Sequence, residues 1–146
     1  MYMLKKMLSL FALAALAVTV QAEKLWETDL SAALKTAKTE KKLVLVDFTG
    51  SDWCPWCVKL HKEVFSKPEF TTYAKANLVL VVIDFPRAKP LPAEAQNANQ
   101  ALANKYKIEG YPTILVLNDE GTEVKRLGYQ PGGPKPFIEE LSKIKK

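Results

Sequence analysis

Cys54 and Cys57 are the two cysteines of the chain, set in the run Trp53-Cys54-Pro55-Trp56-Cys57. Their spacing suits redox chemistry better than stapling. A bridge between them closes a tiny loop and restrains little of the unfolded chain. A disulfide framework needs distant pairs, usually several. A structural zinc site needs four ligands. His61 is the single histidine, so carboxylates would have to complete such a site. What the pair can do is exchange electrons. A thiolate at Cys54 would attack a substrate disulfide and form a mixed disulfide, which Cys57, three residues on, would resolve. The reverse sequence would make substrate disulfides.

That chemistry needs a particular setting, and the flanking sequence supplies it. Leu43 to Phe48 is an apolar run with one acid, Asp47, and reads as a buried strand. Thr49-Gly50-Ser51-Asp52 is a turn. Cys54 then opens a segment in which Val58, Leu60, Val64 and Phe65 fit a helix, with Pro55 acceptable in its first turn. Backbone N–H groups at a helix mouth point outward without partners, and the helix dipole is positive there. Both favour a thiolate over a thiol. His61 falls one helical turn beyond Cys57, on the same face. It could stabilise a Cys57 thiolate, join the cysteines around copper, or be a plain surface histidine.

The rest of the chain reads as strands alternating with helices. Leu30 to Lys38 has helical spacing with Asp29 as N-cap. A short helix starts at Ser66-Lys67-Pro68-Glu69 and reaches about Ala76, and Leu78 to Ile83 is a second buried strand. Pro86, Pro90 and Pro92 mark a loop. Ala93 to Lys107 is a helix with Ala98, Ala101, Leu102 and Tyr106 on its apolar side. After the Gly110-Tyr111-Pro112 break come a strand at Thr113 to Leu117, a turn at 118–121, and a returning strand at Glu123 to Leu127. Gly132-Gly133-Pro134 leads into a last helix carrying Phe137, Ile138, Leu141 and Ile144. The expected architecture is α/β: a central mixed, mostly parallel sheet with helices on both faces, closed by a hairpin and a helix.

Residues 1–22 stand apart. Lys5 and Lys6 give a positive start, Met7 to Val20 is an uncharged apolar run of 14 residues, and Val20-Gln21-Ala22 offers small side chains before Glu23. This is the plan of a secretory signal peptide cut after Ala22, with an uncleaved anchor as the rival reading. The run is shorter than the ~20 residues of a spanning helix, and no later stretch is long enough to span. No cysteine lies near the cut to carry a lipid. Residues 23–146 then form one domain in an exported or periplasmic setting. Without the two lysines of residues 1–22 the net charge falls from +5 to +3. So mild and dispersed an excess does not argue for nucleic acid.

Val46-Asp47-Phe48, Trp53-Cys54-Pro55-Trp56-Cys57 and Ile108-Glu109-Gly110-Tyr111-Pro112-Thr113 together resemble the thioredoxin-like superfamily, across nearly all of 23–146. The Gly-Ser-Asp-Trp-Cys start, Lys59-Leu60 and Glu63-Val64-Phe65 look like its exported bacterial branch. The resemblance implies a thioredoxin fold and roles by position. Cys54 matches the exposed nucleophile and Cys57 the buried resolving cysteine. Pro112 matches the family's cis proline, which would let the Tyr111 backbone pair with an extended substrate. Tyr111 is a substrate contact or a packed aromatic. Trp53 matches a flat apolar surface beside the cysteines. Pro55 and Trp56 replace the usual Gly-Pro and would tune the thiolate. Asp47 resembles the buried acid that takes the resolving cysteine's proton, and burial would raise its pKa. A strand-end Asp facing solvent is the other reading. Its spacing to Cys54 is one residue longer than in typical thioredoxins, and Leu78 to Ile83 lacks the lysine that often accompanies the acid.

The expected function is therefore reduction of protein disulfides through the Cys54–Cys57 cycle. Protein thiols and disulfides are the substrates, a membrane-embedded thiol donor is the partner by resemblance, and the only cofactor is the redox disulfide itself. A disulfide oxidase or isomerase, a copper chaperone using Cys54, Cys57 and His61, and a binding module without turnover are the alternatives. No inserted helical domain of the dedicated-oxidase kind is visible, which favours reduction.

Overall fold

The computed structural model describes residues 24–145. The proposed signal segment, 1–22, lies outside them. The elements run β1 (Trp26–Glu27), α1 (Leu30–Glu40), β2 (Leu43–Thr49), α2 (Pro55–Leu60) and a π-helical turn (His61–Phe65). Then follow α3 (Pro68–Asn77), β3 (Leu78–Asp84), α4 (Ala93–Lys105), β4 (Thr113–Leu117), β5 (Glu123–Leu127) and α5 (Pro134–Ser142). Among the described residues no helix is long and apolar enough to cross a membrane.

The five strands form one sheet in the order β1-β3-β2-β4-β5. β1 and β2 pair with β3 in parallel, while β2–β4 and β4–β5 are antiparallel. The sheet is thus mixed in equal parts, not mostly parallel. The two-residue β1 is too short to carry a period-two signal in the sequence. β2 is buried along its whole length, as a central strand between helical layers must be. Val44, Val46 and Phe48 point into a core covered by α1 and α4, with Val79, Val81 and Ile83 of β3 beside them. Leu43 and Leu45 point the other way, into a core closed by α2, α3 and α5. Phe65, Phe70 and Phe137 meet there with centroids 4.9 to 6.2 Å apart, and Trp26 packs on Phe65 at 5.2 Å. Such pairs add about 0.5–1.5 kcal/mol each beyond their buried area.

Asp29 caps α1 as expected, its carboxylate accepting the Ala32 N–H at 3.1 Å. The apolar side assigned to α4 is displaced. Ala98 and Ala101 are exposed, and the inward residues are Ala103 and Tyr106 with Leu102 half-buried. Alanine is small enough to sit on either face, so in an alanine-rich helix it does not fix the phase. The helix after Cys54 is also less regular than its sequence suggests. Ser66 N–H reaches back to the His61 carbonyl at 2.8 Å, a five-residue step. This π turn seats both Val64 and Phe65 in the core while His61 stays at the surface.

Candidate active site

β2 delivers the cysteine pair. It ends at Thr49, and Gly50 turns the chain by accepting the Cys54 N–H at 2.9 Å and the Trp53 N–H at 3.3 Å. Cys54 is the N-cap of α2 and Pro55 occupies its first turn. The Cys57 N–H donates to Cys54 Sγ at 3.2 Å, and the Gly50 N–H donates to Cys57 Sγ at 3.5 Å. Each sulfur therefore faces a backbone donor. The two are joined in a disulfide, with Cα atoms 5.2 Å apart. A donor aimed at sulfur stabilises the thiolate that appears when the bond is reduced.

The expected contrast in exposure is absent from this oxidised state. Cys54 and Cys57 are each 4% exposed. Tying the two sulfurs together across one turn leaves neither side chain free to project. What distinguishes them is their surroundings. Cys57 lines a cavity of about 300 Å³ together with Asp47, Thr49, Ser51, His61 and Trp26. Cys54 faces the helix mouth.

Asp47 is the buried acid of this cavity, not a solvent-facing strand end. It is 8% exposed, and its Oδ1 has no hydrogen-bond partner. Burial raises its pKa from 3.8 to about 7, with a smaller push from the charge of Asp84. A carboxyl poised near neutrality, in one cavity with the resolving cysteine, can take and return a proton there. Asp84 is the residue the sequence reading missed. It directly follows Ile83, and in the parallel register Thr49 pairs with Asp84 as Asp47 pairs with Val82. Alternate residues share a face, so counting two beyond Val82 would have found it. Its carboxylate accepts from the Ser51 N–H at 3.0 Å and from the Ser51 hydroxyl. The run Leu78 to Ile83 sets no lysine beside the buried acid, and the charged group that acts on Asp47 is a second acid just beyond it.

Trp53 is a fixed wall more than a free contact surface. Its Nε1 donates to the Phe85 carbonyl at 2.7 Å, the Arg87 guanidinium covers one face at 3.7 Å, and Tyr111 meets it edge-on at 5.7 Å. The loop that presents Arg87 is held by Asp52, whose carboxylate accepts the Arg87 N–H at 3.0 Å and the Ala88 N–H at 2.8 Å. Those donors lower the Asp52 pKa. The exposed aromatic surface belongs instead to Trp56, at 54%. Tyr111 is packed between Trp53 and Phe85. The Tyr111–Pro112 bond is cis. Because Thr113 lies opposite Phe48 across the antiparallel pair, Pro112 sits at the sheet end where β2 turns toward Cys54. Among the described residues no three His, Cys, Asp or Glu side chains group closely enough to hold a metal ion.

The turn itself tolerates no side chain at Gly50, where an added Cβ would run into the Trp53 indole. Trp53 is pinned on three sides and cannot retreat. Gly50→Ala is expected to cost roughly 1–3 kcal/mol of stability. Urea unfolding of the oxidised protein measures this, and an unchanged midpoint would show that the indole can move.

A buried acid, a helix-capping CxxC disulfide and a neighbouring cis proline on this sheet order form one recognisable constellation, and a thioredoxin-like domain matches residues 30–144. The chain belongs to the thioredoxin-like family. It is 36% identical to the disulfide bond reductase DsbH of Chlamydia pneumoniae over 120 residues, covering 82% of this chain and 70% of that protein. A solved structure of a DsbH oxidoreductase superposes with a TM-score of 0.76 at 34% identity, over 80% of this chain and 81% of that one. The thiol:disulfide interchange protein DsbD 2 of Pseudomonas aeruginosa is 32% identical over 96 residues, which span 65% of this chain but 15% of that longer protein. The thioredoxin-like architecture read from the sequence is thus the one observed. With its disulfide at the helix mouth, the protein is a thiol–disulfide oxidoreductase.

Proposed function

We propose that this protein reduces protein disulfides in the cell envelope, cycling through Cys54 and Cys57. The observation that carries the reading is the asymmetry of the pair: Cys54 caps the helix, and Cys57 shares a cavity with Asp47. In the reduced protein the Cys54 thiolate attacks the substrate disulfide, and one substrate sulfur leaves as thiolate. Cys57 gives its proton to Asp47 and attacks Cys54 Sγ, which releases the second substrate sulfur. Two electrons move to the substrate, and the protein is left with its Cys54–Cys57 bond. No cofactor beyond that bond is required. The Tyr111 backbone and Pro112, at the sheet end where β2 turns toward Cys54, and Pro55 and Trp56, between the two cysteines, contact the substrate.

Reduction as the direction is supported by the crossover between β3 and β4, which holds the single helix α4 and no inserted helical domain. Export is supported by the composition of residues 1–22. In an oxidising compartment the dithiol must be restored, and a membrane-embedded thiol donor is the partner that the motif resemblance implies; the likeness to part of a thiol:disulfide interchange protein fits exchange with a partner thiol.

The reduction potential tests the direction. The purified protein is equilibrated in graded thiol–disulfide buffers and its free thiols are counted by mass spectrometry, with Cys54→Ser as control. A value near that of thioredoxin, about −270 mV, is expected. A value near about −120 mV, that of a strong oxidant, would overturn reduction as the direction.

A further inference from the structure

Beyond Trp56 the surface opens into a cleft of about 560 Å³. Lys59, Lys62, Glu63 and Lys67 form one wall, and Tyr129 with the 131–134 loop forms the other. The cleft adjoins Trp56 through Tyr129 and Lys59, which line it. Trp56, between the two cysteines in sequence, lies 5.0 Å from the Tyr129 ring, and Lys59 Nζ stands 5.2 Å from both ring centres. The one acid in the wall is already engaged: Glu63 accepts from the Tyr129 hydroxyl at 2.7 Å and pairs with Lys59 at 3.9 Å. Among the described residues, Lys62 and Lys67 have no acidic partner within ion-pair distance. The cleft is therefore positive, with two cations left for an incoming group.

On the opposite side of the disulfide a cation and carboxylates are mixed. Arg87 lies over Trp53, and Asp52 is turned into the Arg87–Ala88 backbone. Asp84 is bound to Ser51, and Asp47 is buried. An aromatic platform at the disulfide that continues into a cationic cleft fits a chain segment, apolar at its cysteine and anionic farther along.

We infer that the protein substrate lies across Trp56 with acidic side chains on that side of its reactive cysteine, seated on Lys62 and Lys67. The inference rests on the oxidoreductase reading and narrows its substrate class to disulfides flanked by acidic sequence. Exposed ion pairs contribute modestly and are screened by salt. Two of them should give a preference of about tenfold in kcat/KM at low salt, much of it through encounter rate.

The test uses protein pre-reduced with dithiothreitol and freed of it, so that the Cys54–Cys57 dithiol supplies the two electrons, and fluorogenic disulfide peptides of one length that differ only in Glu, Gln or Lys placed on one or the other side of the cysteine. The parent protein is expected to favour Glu over Lys about tenfold on one side at ~0.02 M salt and to approach parity at ~0.5 M. The double variant Lys62→Glu/Lys67→Glu should reverse the order. The Glu-to-Lys ratio within each protein cancels any general loss of activity. Equal rates for the acidic and basic peptides, or a preference that survives the double reversal, would overturn the inference. A neutral small disulfide separates the two levels. Turnover of it without any charge preference sinks the substrate class alone, whereas no turnover of any disulfide sinks the oxidoreductase reading as well.

Discussion

A Cys57→Ser protein is expected to stop half-way through its reaction. Cys54 keeps its place as the N-cap of α2, so it can still attack a substrate disulfide. The resolving sulfur, the one that receives the Gly50 N–H and shares the cavity with Asp47, is gone. Multiple turnover should fall by at least about a thousandfold, as it does when one member of a catalytic unit is removed. The mixed disulfide should accumulate, visible as a mass increase equal to the substrate thiol and reversed by excess dithiothreitol. Destabilisation cannot mimic this result. The loop closed by the Cys54–Cys57 bond is so short that losing it costs about 2 kcal/mol. Sustained turnover by the variant, or a free Cys54 after mixing with substrate, would count against Cys57 as the resolving group.

Asp47→Asn should make the oxidised protein more stable and slower, and both effects should depend on pH in a defined direction. In the fold the carboxyl titrates at about 7, and its ordinary value is 3.8. Below 3.8 it is neutral in both the folded and unfolded chain, so it costs nothing. Between 3.8 and about 7 the unfolded chain ionises first, and stability falls as pH rises. Above about 7 the whole penalty is present, and the interval corresponds to roughly 4 kcal/mol at 1.36 kcal/mol per pH unit. Asn keeps the shape and removes the charge, so a gain of roughly 2–4 kcal/mol is expected at about pH 8 and almost none near pH 4. Urea unfolding at the two pH values checks it. A gain equal at both would mean that packing, not the carboxylate, is responsible. The same substitution removes the proton acceptor, and the resolving step should slow by about a hundredfold. Its pH profile should lack the inflection near neutrality that is expected of the parent. That loss separates an acid–base role from simple distortion of the site.

The two predictions share a cause. The cavity that makes Asp47 costly for stability is the one that makes it a proton acceptor for Cys57. A residue with an orphaned buried oxygen is the kind of local conflict that persists where it serves chemistry.

The chemistry and the frame are legible in the residues alone. Cys54 and Cys57 sit three residues apart in a chain with no other thiol. The continuous apolar runs at Leu43 and Leu78 mark strands buried on both faces, and the Gly and Pro punctuation separates the elements to within a few residues. These are local properties: period, turn chemistry and spacing are written in neighbouring residues. Resemblance of short motifs added Asp47 and Pro112. What depends on register and on which surfaces meet emerges only in the folded chain. Only the parallel pairing of β2 with β3 puts Asp84 on the face of Asp47, and only the closing of α2 over that face makes a cavity that raises one carboxyl and leaves the other bound to Ser51. Arg87 on Trp53 and Tyr129 beside Trp56 join residues 34 and 73 positions apart. The π turn at His61 was set by the need to seat both Val64 and Phe65 in the core, and the phase of α4 by what the core could accept, since that alanine-rich helix carries too few large apolar residues to state its own face. Contacts between distant segments, the field inside a cavity, and the exposure of a surface are sums over the whole fold, and no window of sequence contains them.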